Sequence, residues 1–275
     1  MSLTQTEMLD GRVIARHPPK YFAHGVTAVW TRRLIVLGAL VLWEIWTRLA
    51  GNSELIAPPS SIVRALFSDI LSDAAIRGAI MLTLFEVVSA YALAIVVGLA
   101  MGLAIGSTNL SRRSLFPVVL LLYAIPQVIL LPLFTLGFGI GPAAKIAFGF
   151  SHGVFPILVN VVAGMRNVNP LYLKAARSMG ARRSDIIRNV TFPHMVASFF
   201  TGLRLSMTMT LLGVILAELY VSTAGVGYFT KLFAETFDPA PLFALIGTLA
   251  IMAIGLNEIV RAVERRFTRW KDWAP

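Results

Sequence analysis

The sequence predicts an all-α membrane protein with six transmembrane helices, and three observations carry that prediction. The 275 residues are 57% hydrophobic and 14% charged, with a mean hydropathy of +0.76, which is too apolar for a soluble domain of this length. Six apolar runs approach the ~20 residues that a helix needs to cross the ~30 Å hydrocarbon core. Basic residues collect in alternate connections between these runs, as in multi-pass membrane proteins.

The first and third predicted spans each contain a feature that a neighbouring side chain or helix has to accommodate. In the first, Glu44 and Arg48 are four residues apart and can pair on one helical face. The third is interrupted by Pro126 and Pro132, which membrane helices tolerate where neighbouring helices satisfy the freed carbonyls. The six spans are Leu34–Leu49, Ala79–Ile105, Leu115–Leu136, Ile146–Met165, Val196–Leu216 and Pro241–Val260.

The second span has a small residue at every fourth position, which lets another helix approach closely. The sequence does not say whether that helix belongs to the same chain or to a second copy, and packing within the chain is the default. The small residues are Ala90, Ala94, Gly98, Gly102 and Gly106.

Before the second span, two prolines and two serines (58–61) precede an amphipathic segment with Ile62, Leu66 and Ile70 at helical spacing. A packed connector is favoured there over a docking surface for another protein.

The distribution of basic residues predicts the orientation. Of the 24 Lys and Arg residues, 18 fall on one side of the predicted membrane, so the positive-inside rule places that side and both termini in the cytoplasm. We therefore divide the chain into a cytoplasmic N-terminal segment (1–33), a six-span domain (34–261) and a cytoplasmic tail (262–275). The 18 residues are Arg12, Arg16, Lys20, Arg32, Arg33, Arg112, Arg113, Arg166, Lys174, Arg177, Arg182, Arg183, Arg188, Arg261, Arg265, Arg266, Arg269 and Lys271.

Several function classes are disfavoured. Membrane topology accounts for the net charge of +10, so nucleic acid is not expected as a partner. The glycine-containing segments 139–145 and 225–231 do not fit a phosphate-binding P-loop, so ATP hydrolysis would need a partner protein. The four histidines show no metal-ligand spacing, the chain has no cysteine, and a GxSxG nucleophile motif is missing. We expect no catalytic residue, no metal site and no cofactor in this chain.

Polar residues within the spans are candidates for a translocation path because they are costly in lipid. Arg204 can pair with a phospholipid or a helix end, or can meet an anion. His152 is favoured as a satisfied buried histidine, and Glu218 as a residue that secures the turn around Gly225 and Gly227. The candidates are Gln127, Ser151, His152, Asn160, Arg204 and Glu218.

A polar, arginine-rich segment (about 168–193) separates the fourth and fifth spans. Pro170 can open a helix, Ala175 and Ala176 predict a smooth small-residue surface, and Gly180 suits a left-handed helix stop. The spacing of the two alanines, Gly180 and Pro193 resembles the EAA loop of ABC-importer permeases, with Lys174 where a glutamate is usual. The resemblance implies that the segment is a coupling helix that contacts a cytoplasmic ATPase, through Lys174, Ala175, Ala176, Arg177, Gly180 and Pro193.

A second signature, Ala217–Ser222 followed by the Gly225–Tyr228 turn, resembles the permeases for nitrate, aliphatic sulfonates, taurine and bicarbonate. The resemblance covers about residues 55–270. It implies a type I ABC-importer permease of the bacterial inner membrane, a permease homodimer, two ATPase subunits that use ATP and magnesium, and an external solute-binding protein. The implied cargo is a small anion. The alternatives are a vitamin-type heterocycle such as riboflavin or a thiamine precursor, or, in a different class, a passive channel or scaffold.

Overall fold

The structure, a computed structural model, describes residues 8–9, 12–13, 25–49 and 56–267, which are predominantly helical. Two short strands, β1 (Met8–Leu9) and β2 (Arg12–Val13), pair antiparallel. With helix α1 (Gly25–Leu49) they belong to a first unit that ends at Gly51. Most of the predicted N-terminal segment 1–33, and residues 268–275 of the predicted tail, lie outside the described residues.

The second unit, residues 52–275, contains the other helices. These helices are α2 (Pro59–Ala65), α3 (Ala74–Gly106), α4 (Asn109–Ala124), α5 (Leu131–Phe138), α6 (Pro142–Arg166), α7 (Pro170–Ser178), α8 (Arg183–Ile186), α9 (Phe192–Val221), α10 (Val226–Glu235) and α11 (Pro239–Phe267). A π-helical turn (Leu66–Ile70) follows α2, a 3-10 turn (Gln127–Leu130) precedes α5, and a π-helical turn (Ile187–Thr191) joins α8 to α9.

Helices α3, α6 and α9 form the centre of the second unit, and the small residues of α3 allow their close packing. An ideal Cβ built on Gly98 would lie 2.9 Å from the Val154 carbonyl oxygen, and one on Gly102 would lie 2.7 Å from Val161 Cβ. Side chains from all three helices share the main buried cluster. The small-residue stripe therefore packs within the chain, as predicted.

Four described helices are long and apolar enough to cross a membrane: α3, α6, the continuous helix Ser184–Val221 and α11. The third predicted span is a broken pair, because α4 and the segment Gln127–Phe138 meet at an angle of 82°; counted as one span, this pair makes five. The first predicted span lies in α1, where Glu44 and Arg48 interrupt the apolar run and form the predicted ion pair at 2.6 Å. The count of six is not confirmed, and the predicted domain boundaries at 33/34 and 261/262 stay predictions.

The segment before α3 is a packed connector. Ile70 is fully buried, Ile62 and Leu66 are partly buried, and all three belong to a cluster that includes Val226 of α10 and Leu245 of α11. The predicted apolar stripe is thus covered by the chain itself.

Several helix ends meet at one end of the second unit, which we call the arginine-rich end. The α3–α4 connection, the end of α6, and α7 with its following turn surround a cavity of about 530 Å³. Arg112 and Arg177 line this cavity. At the opposite end, the last turn of α9 contacts the turn that begins α10.

Candidate coupling surface and translocation path

The arginine-rich end carries a helix–turn unit built as its residue types predict. Asn169 caps α7 by accepting a hydrogen bond from Leu171 N at 2.9 Å, and Pro170 occupies the first turn, where its missing N–H costs nothing. Gly180 has φ +76°, which a residue with a Cβ adopts only with strain. Ala181 N donates to Ala176 O at 3.1 Å across this turn, the backbone arrangement that commonly ends a helix. The left-handed stop predicted at Gly180 is confirmed.

The outer face of α7 differs from the predicted surface of two alanines. Ala175 is exposed, but Ala176 is only 7% exposed, so the predicted exposure is wrong for Ala176. The exposed apolar side chains are instead Leu171 and Met179, 65% and 82% accessible, while Lys174 and Arg177 are exposed beside them. Large apolar residues on an otherwise polar helix were the signal that could have found this surface.

The second half of the segment is continuous with the fifth predicted span. Pro193 is the second residue of α9 and not the end of a loop, because α8, the π-helical turn and α9 form one helix, Ser184–Val221. The wide π-helical turn ends two residues before Pro193, where it suits a residue that lacks an N–H and crowds the carbonyl four residues earlier. Between α7 and this helix lies an open cavity of about 380 Å³, lined by Ala175, Ala176 and Pro193 among others.

Two predicted path residues meet at the bend of the broken span. Ser151 Oγ of α6 lies 3.2 Å from Gln127 Oε1, where α4 gives way to the 3-10 turn. Next to them, His152 Nδ1 lies 3.0 Å from the Phe148 carbonyl oxygen, and its ring packs edge-on against the Phe148 ring at 4.5 Å. The structure thus brings Gln127, Ser151 and His152 together, and the half-buried His152 has internal partners, as expected of a satisfied histidine.

The other three candidates are separate from this group, and each has a partner in the chain. Asn160 Nδ2 donates to the Pro156 carbonyl oxygen at 2.8 Å. Arg204 Nη1 of α9 lies 2.8 Å from Glu264 Oε2 of α11, so an intramolecular carboxylate already neutralises its charge. Glu218 Oε2 accepts from Gly227 N at 2.8 Å and secures the turn that opens α10.

Glu218 belongs to a buried cluster that joins four helices. Thr83 Oγ1 of α3 donates to Glu218 Oε1 at 2.6 Å and accepts from Val226 N at 2.9 Å. Lys145 Nζ of α6 lies 2.6 Å from Glu86 Oε1 of α3, with the two side chains 4% and 0% exposed.

Lys145 also donates to Ala224 O at 3.2 Å, and the carboxyl groups of Glu86 and Glu218 both interact electrostatically with Lys145. Neither Glu86 nor Lys145 was identified from the sequence as a member of this cluster. The signal was available, because Lys145 directly precedes the fourth predicted span and a lysine buried there needs a carboxylate.

These contacts determine the electrostatics of the membrane-spanning part. Two cations of the central helices, Lys145 of α6 and Arg204 of α9, are each paired with a glutamate. A solute that passes between these helices would meet no cation without an intramolecular partner among the described residues. Arg112, Arg113 and Arg166, which have no carboxylate partner among the described residues, lie at the arginine-rich end.

Residues 94–269 match the family described as "Binding-protein-dependent transport system inner membrane component". The formylaminopyrimidine transport permease protein ThiX of Halalkalibacterium halodurans is 28% identical over 238 residues, covering 86% of this chain and 94% of the relative. The taurine transport system permease protein TauC of Escherichia coli is 27% identical over 234 residues, covering 84% and 85%.

Among solved structures, an inward-facing MetNI methionine ABC transporter superposes with a TM-score of 0.62 at 18% sequence identity, covering 70% of this chain and 96% of that chain. This likeness concerns the fold, which it identifies as that of an ABC-transporter permease. Together with the family match, which spans more than half of the sequence, it shows that the chain is a multi-pass membrane protein belonging to the binding-protein-dependent transport system inner membrane component family.

Proposed function

We propose that this permease forms the translocation path of an ATP-driven importer together with a second copy of itself. Two cytoplasmic ATPase subunits, which use ATP and magnesium, drive the transport cycle, and an external solute-binding protein delivers the cargo. The observation that carries the proposal is the capped helix α7 with its Gly180 turn and its exposed Leu171 and Met179. An apolar contact surface rimmed by Lys174 and Arg177 suits a groove on another protein.

The arginine-rich end faces the cytoplasm in this proposal. Arg112, Arg113 and Arg166 lie there around one cavity, and Arg177 lies nearby, in agreement with the positive-inside rule. The orientation also brings α7 to the side of the membrane where ATP is available. Both the charge bias and the coupling surface therefore support the same topology.

The continuity of Ser184–Val221 supports a mechanism for coupling. The 38 residues form one helix, which at 1.5 Å per residue spans about 57 Å. A displacement imposed on α7 and the adjoining α8 would pass into the membrane directly, since no flexible loop separates α8 from α9. Helix α9 packs against α6 through Gly153 and Ser206, whose Oγ donates to Gly153 O at 2.7 Å. The movement would therefore reach the helix that carries Ser151 and His152.

We propose a small anion, such as a sulfonate, taurine, nitrate or bicarbonate, as the cargo. The likeness to the taurine permease supports a cargo that carries an anionic sulfonate group. The likeness to the formylaminopyrimidine permease supports the alternative of a vitamin-type heterocycle. Because the interior cations are already paired, the permease itself offers little charge selection, and we assign selection of the cargo to the external binding protein.

The coupling proposal is tested by changing Gly180. Gly180→Val places a β-branched residue at φ +76° and strains the turn by about 1–3 kcal/mol, whereas Gly180→Asn is better tolerated in this region. Gly255→Val in α11 is the matched control, because an added Cβ there meets no atom within 4 Å. ATP hydrolysis and solute uptake are measured together in proteoliposomes that contain the permease, its ATPase and the binding protein.

We expect Gly180→Val to lower uptake per ATP hydrolysed by about tenfold, and Gly180→Asn and Gly255→Val to stay near the unchanged protein. Normal uptake in Gly180→Val would overturn the assignment of this turn to coupling. The same proteoliposomes, supplied with taurine or formylaminopyrimidine on their cognate binding proteins, decide between the two cargo classes.

A further inference from the structure

A further cavity at the arginine-rich end, separate from the two that border α7, is not used by the proposed transport function. Its volume is about 550 Å³, and it lies between the first turns of α4 and the last turns of α6. The lining residues are Arg112, Arg113, Phe116, Pro117, Val162, Ala163, Arg166 and Asn167.

Three arginines give this cavity a concentrated positive charge. Arg113 and Arg166 are exposed, and Arg112 is half-buried, where its Nη2 donates to Asn109 Oδ1 at 2.8 Å. Within the described part of the chain, none of the three forms an ion pair with a carboxylate, and the lining contains no acidic residue. Three guanidinium groups around one space favour an anion with several oxygen acceptors, such as a phosphate group.

The apolar walls of the cavity lie one helical turn away from these arginines. On α4, Phe116 and Pro117 follow Arg112 and Arg113 by four residues, and on α6, Val162 precedes Arg166 by four. Four residues correspond to about 6 Å along a helix, directed toward the middle of the span in both cases. A ligand that fits this arrangement has an anionic group at the membrane surface and an apolar part directly beneath it.

The surrounding surface continues this pattern into the hydrocarbon region. Leu115 and Val118 of α4 are 51% and 50% exposed beside the cavity, and Leu121 is 70% exposed one turn deeper. A free phosphate ion would leave these apolar walls without a contact. An acyl chain would cover them.

We propose that this arginine cavity binds an anionic phospholipid, with its phosphate group held by Arg112, Arg113 and Arg166 and its acyl chains along Phe116, Pro117 and the outer face of α4. Basic pockets between transmembrane helices at a membrane surface are suited to anionic headgroups. The site lies beside the cavity that borders α7, and Arg112 lines both, so a bound lipid would stabilise the connection between α4 and the coupling region.

The test measures lipid retention by the full-length permease. Protein purified in mild detergent is mixed with phosphatidylglycerol or phosphatidylcholine, and bound lipids are counted by native mass spectrometry. The variants are Arg113→Gln and Arg166→Gln, singly and together. Arg266→Gln is the matched control, because Arg266 is an exposed arginine outside the cavity near the end of α11.

We expect phosphatidylglycerol to be retained in preference to phosphatidylcholine. Each cavity variant should lower its apparent affinity about fivefold, corresponding to ~1 kcal/mol per basic side chain at an anionic surface, and the double variant about 25-fold. Arg113→Lys should restore most of the binding of Arg113→Gln, because a lysine keeps the charge. Equal loss in Arg266→Gln and in the cavity variants would overturn the proposal.

Inorganic phosphate distinguishes a lipid site from a general oxyanion site. At millimolar concentration it should not displace phosphatidylglycerol, because it cannot contact the apolar walls. Complete displacement would overturn the lipid assignment. None of these measurements depends on ATP hydrolysis or uptake, so their outcome is independent of the transport proposal.

Discussion

The buried ion pair between Lys145 and Glu86 offers a prediction whose size follows from its surroundings. The two side chains are 4% and 0% exposed and lie 2.6 Å apart. Glu218 adds a second carboxyl group to the same cluster, held by Thr83 and the Gly227 N–H. We consider Lys145→Met and Glu86→Gln, which remove one charge each while keeping a side chain of similar length.

The two single variants should differ in cost. Removing one partner of a buried ion pair typically costs about 3–5 kcal/mol, because the other charge is left uncompensated. Lys145→Met leaves Glu86 and Glu218 facing each other without their cation, so we place it near 5 kcal/mol. Glu86→Gln leaves Lys145 with the attraction of Glu218, so we place it near 3 kcal/mol or below.

The double variant should be more stable than Lys145→Met alone. With Lys145 and Glu86 both neutral, Glu218 keeps its two hydrogen-bond donors and faces no second carboxylate. Paired replacement of a buried ion pair by neutral groups is often close to neutral in stability. With single costs of about 5 and 3 kcal/mol, a double variant that is more stable than Lys145→Met requires a coupling of at least ~3 kcal/mol, the top of the range for residues in direct contact.

The assay is the free energy of unfolding of the purified permease, measured by titration with SDS in mixed micelles. Lys231→Met provides the control, because Lys231 pairs with Glu235 at 3.8 Å on an exposed surface, where an ion pair contributes about 0–1 kcal/mol. Additive costs for the Lys145 and Glu86 variants, or equal costs for Lys145→Met and Lys231→Met, would refute the reasoning.

Three further predictions concern topology, packing and cargo. Reporter fusions at Asn109 should report the cytoplasm and those at Glu235 the outside; the reverse result at both sites would contradict the proposed orientation. Gly102→Val should destabilise the permease by about 1–3 kcal/mol through overpacking. Gly78→Val in the same helix should cost less than ~1 kcal/mol, because an added Cβ at Gly78 has no atom within 4 Å. Similar costs for the two variants would rule out the close contact at Gly102. Arg204→Gln should lower the uptake rate less than tenfold without changing the preferred solute, since Arg204 is already paired within the chain; a switched preference would show that it contacts cargo.

The parts of the fold that sequence reasoning predicted correctly are those set by local chemistry. A left-handed φ at Gly180 follows from the absence of a Cβ, and the helix start at Pro170 from its missing N–H. The four-residue spacing of small side chains on α3 required a close neighbour. The sequence favoured a neighbour within the same chain, but it did not identify that neighbour as α6.

The errors and omissions arise where a contact between distant segments decides the outcome. Ala175 and Ala176 look equivalent in sequence, and only the packing of α7 on the rest of the chain makes one exposed and the other buried. The segment ending at Pro193 was predicted to separate two spans, whereas a π-helical turn lets the helix of the fifth span begin at Ser184 and continue through Pro193. Lys145 and Glu86 are 59 positions apart, and no local pattern connects them.

The two ends of α9 have different constraints, which affects how a movement of α7 could be transmitted. At one end, α9 continues into α8 beside the exposed coupling surface. At the other end, Glu218 is bonded to Thr83 of α3 and to the backbone of Gly227, close to the ion pair that includes Lys145 of α6. A rigid helix fixed by a buried polar cluster at one end and pushed at the other tilts about the fixed end. The largest displacement would therefore occur at α8 and Pro193, an intermediate one at Arg204, and the smallest beside Gly227. The cluster at Glu218 is therefore the fixed point of the proposed movement. The ion pair between Arg204 and Glu264 lies in the part of the helix that moves, so the movement has to accommodate it.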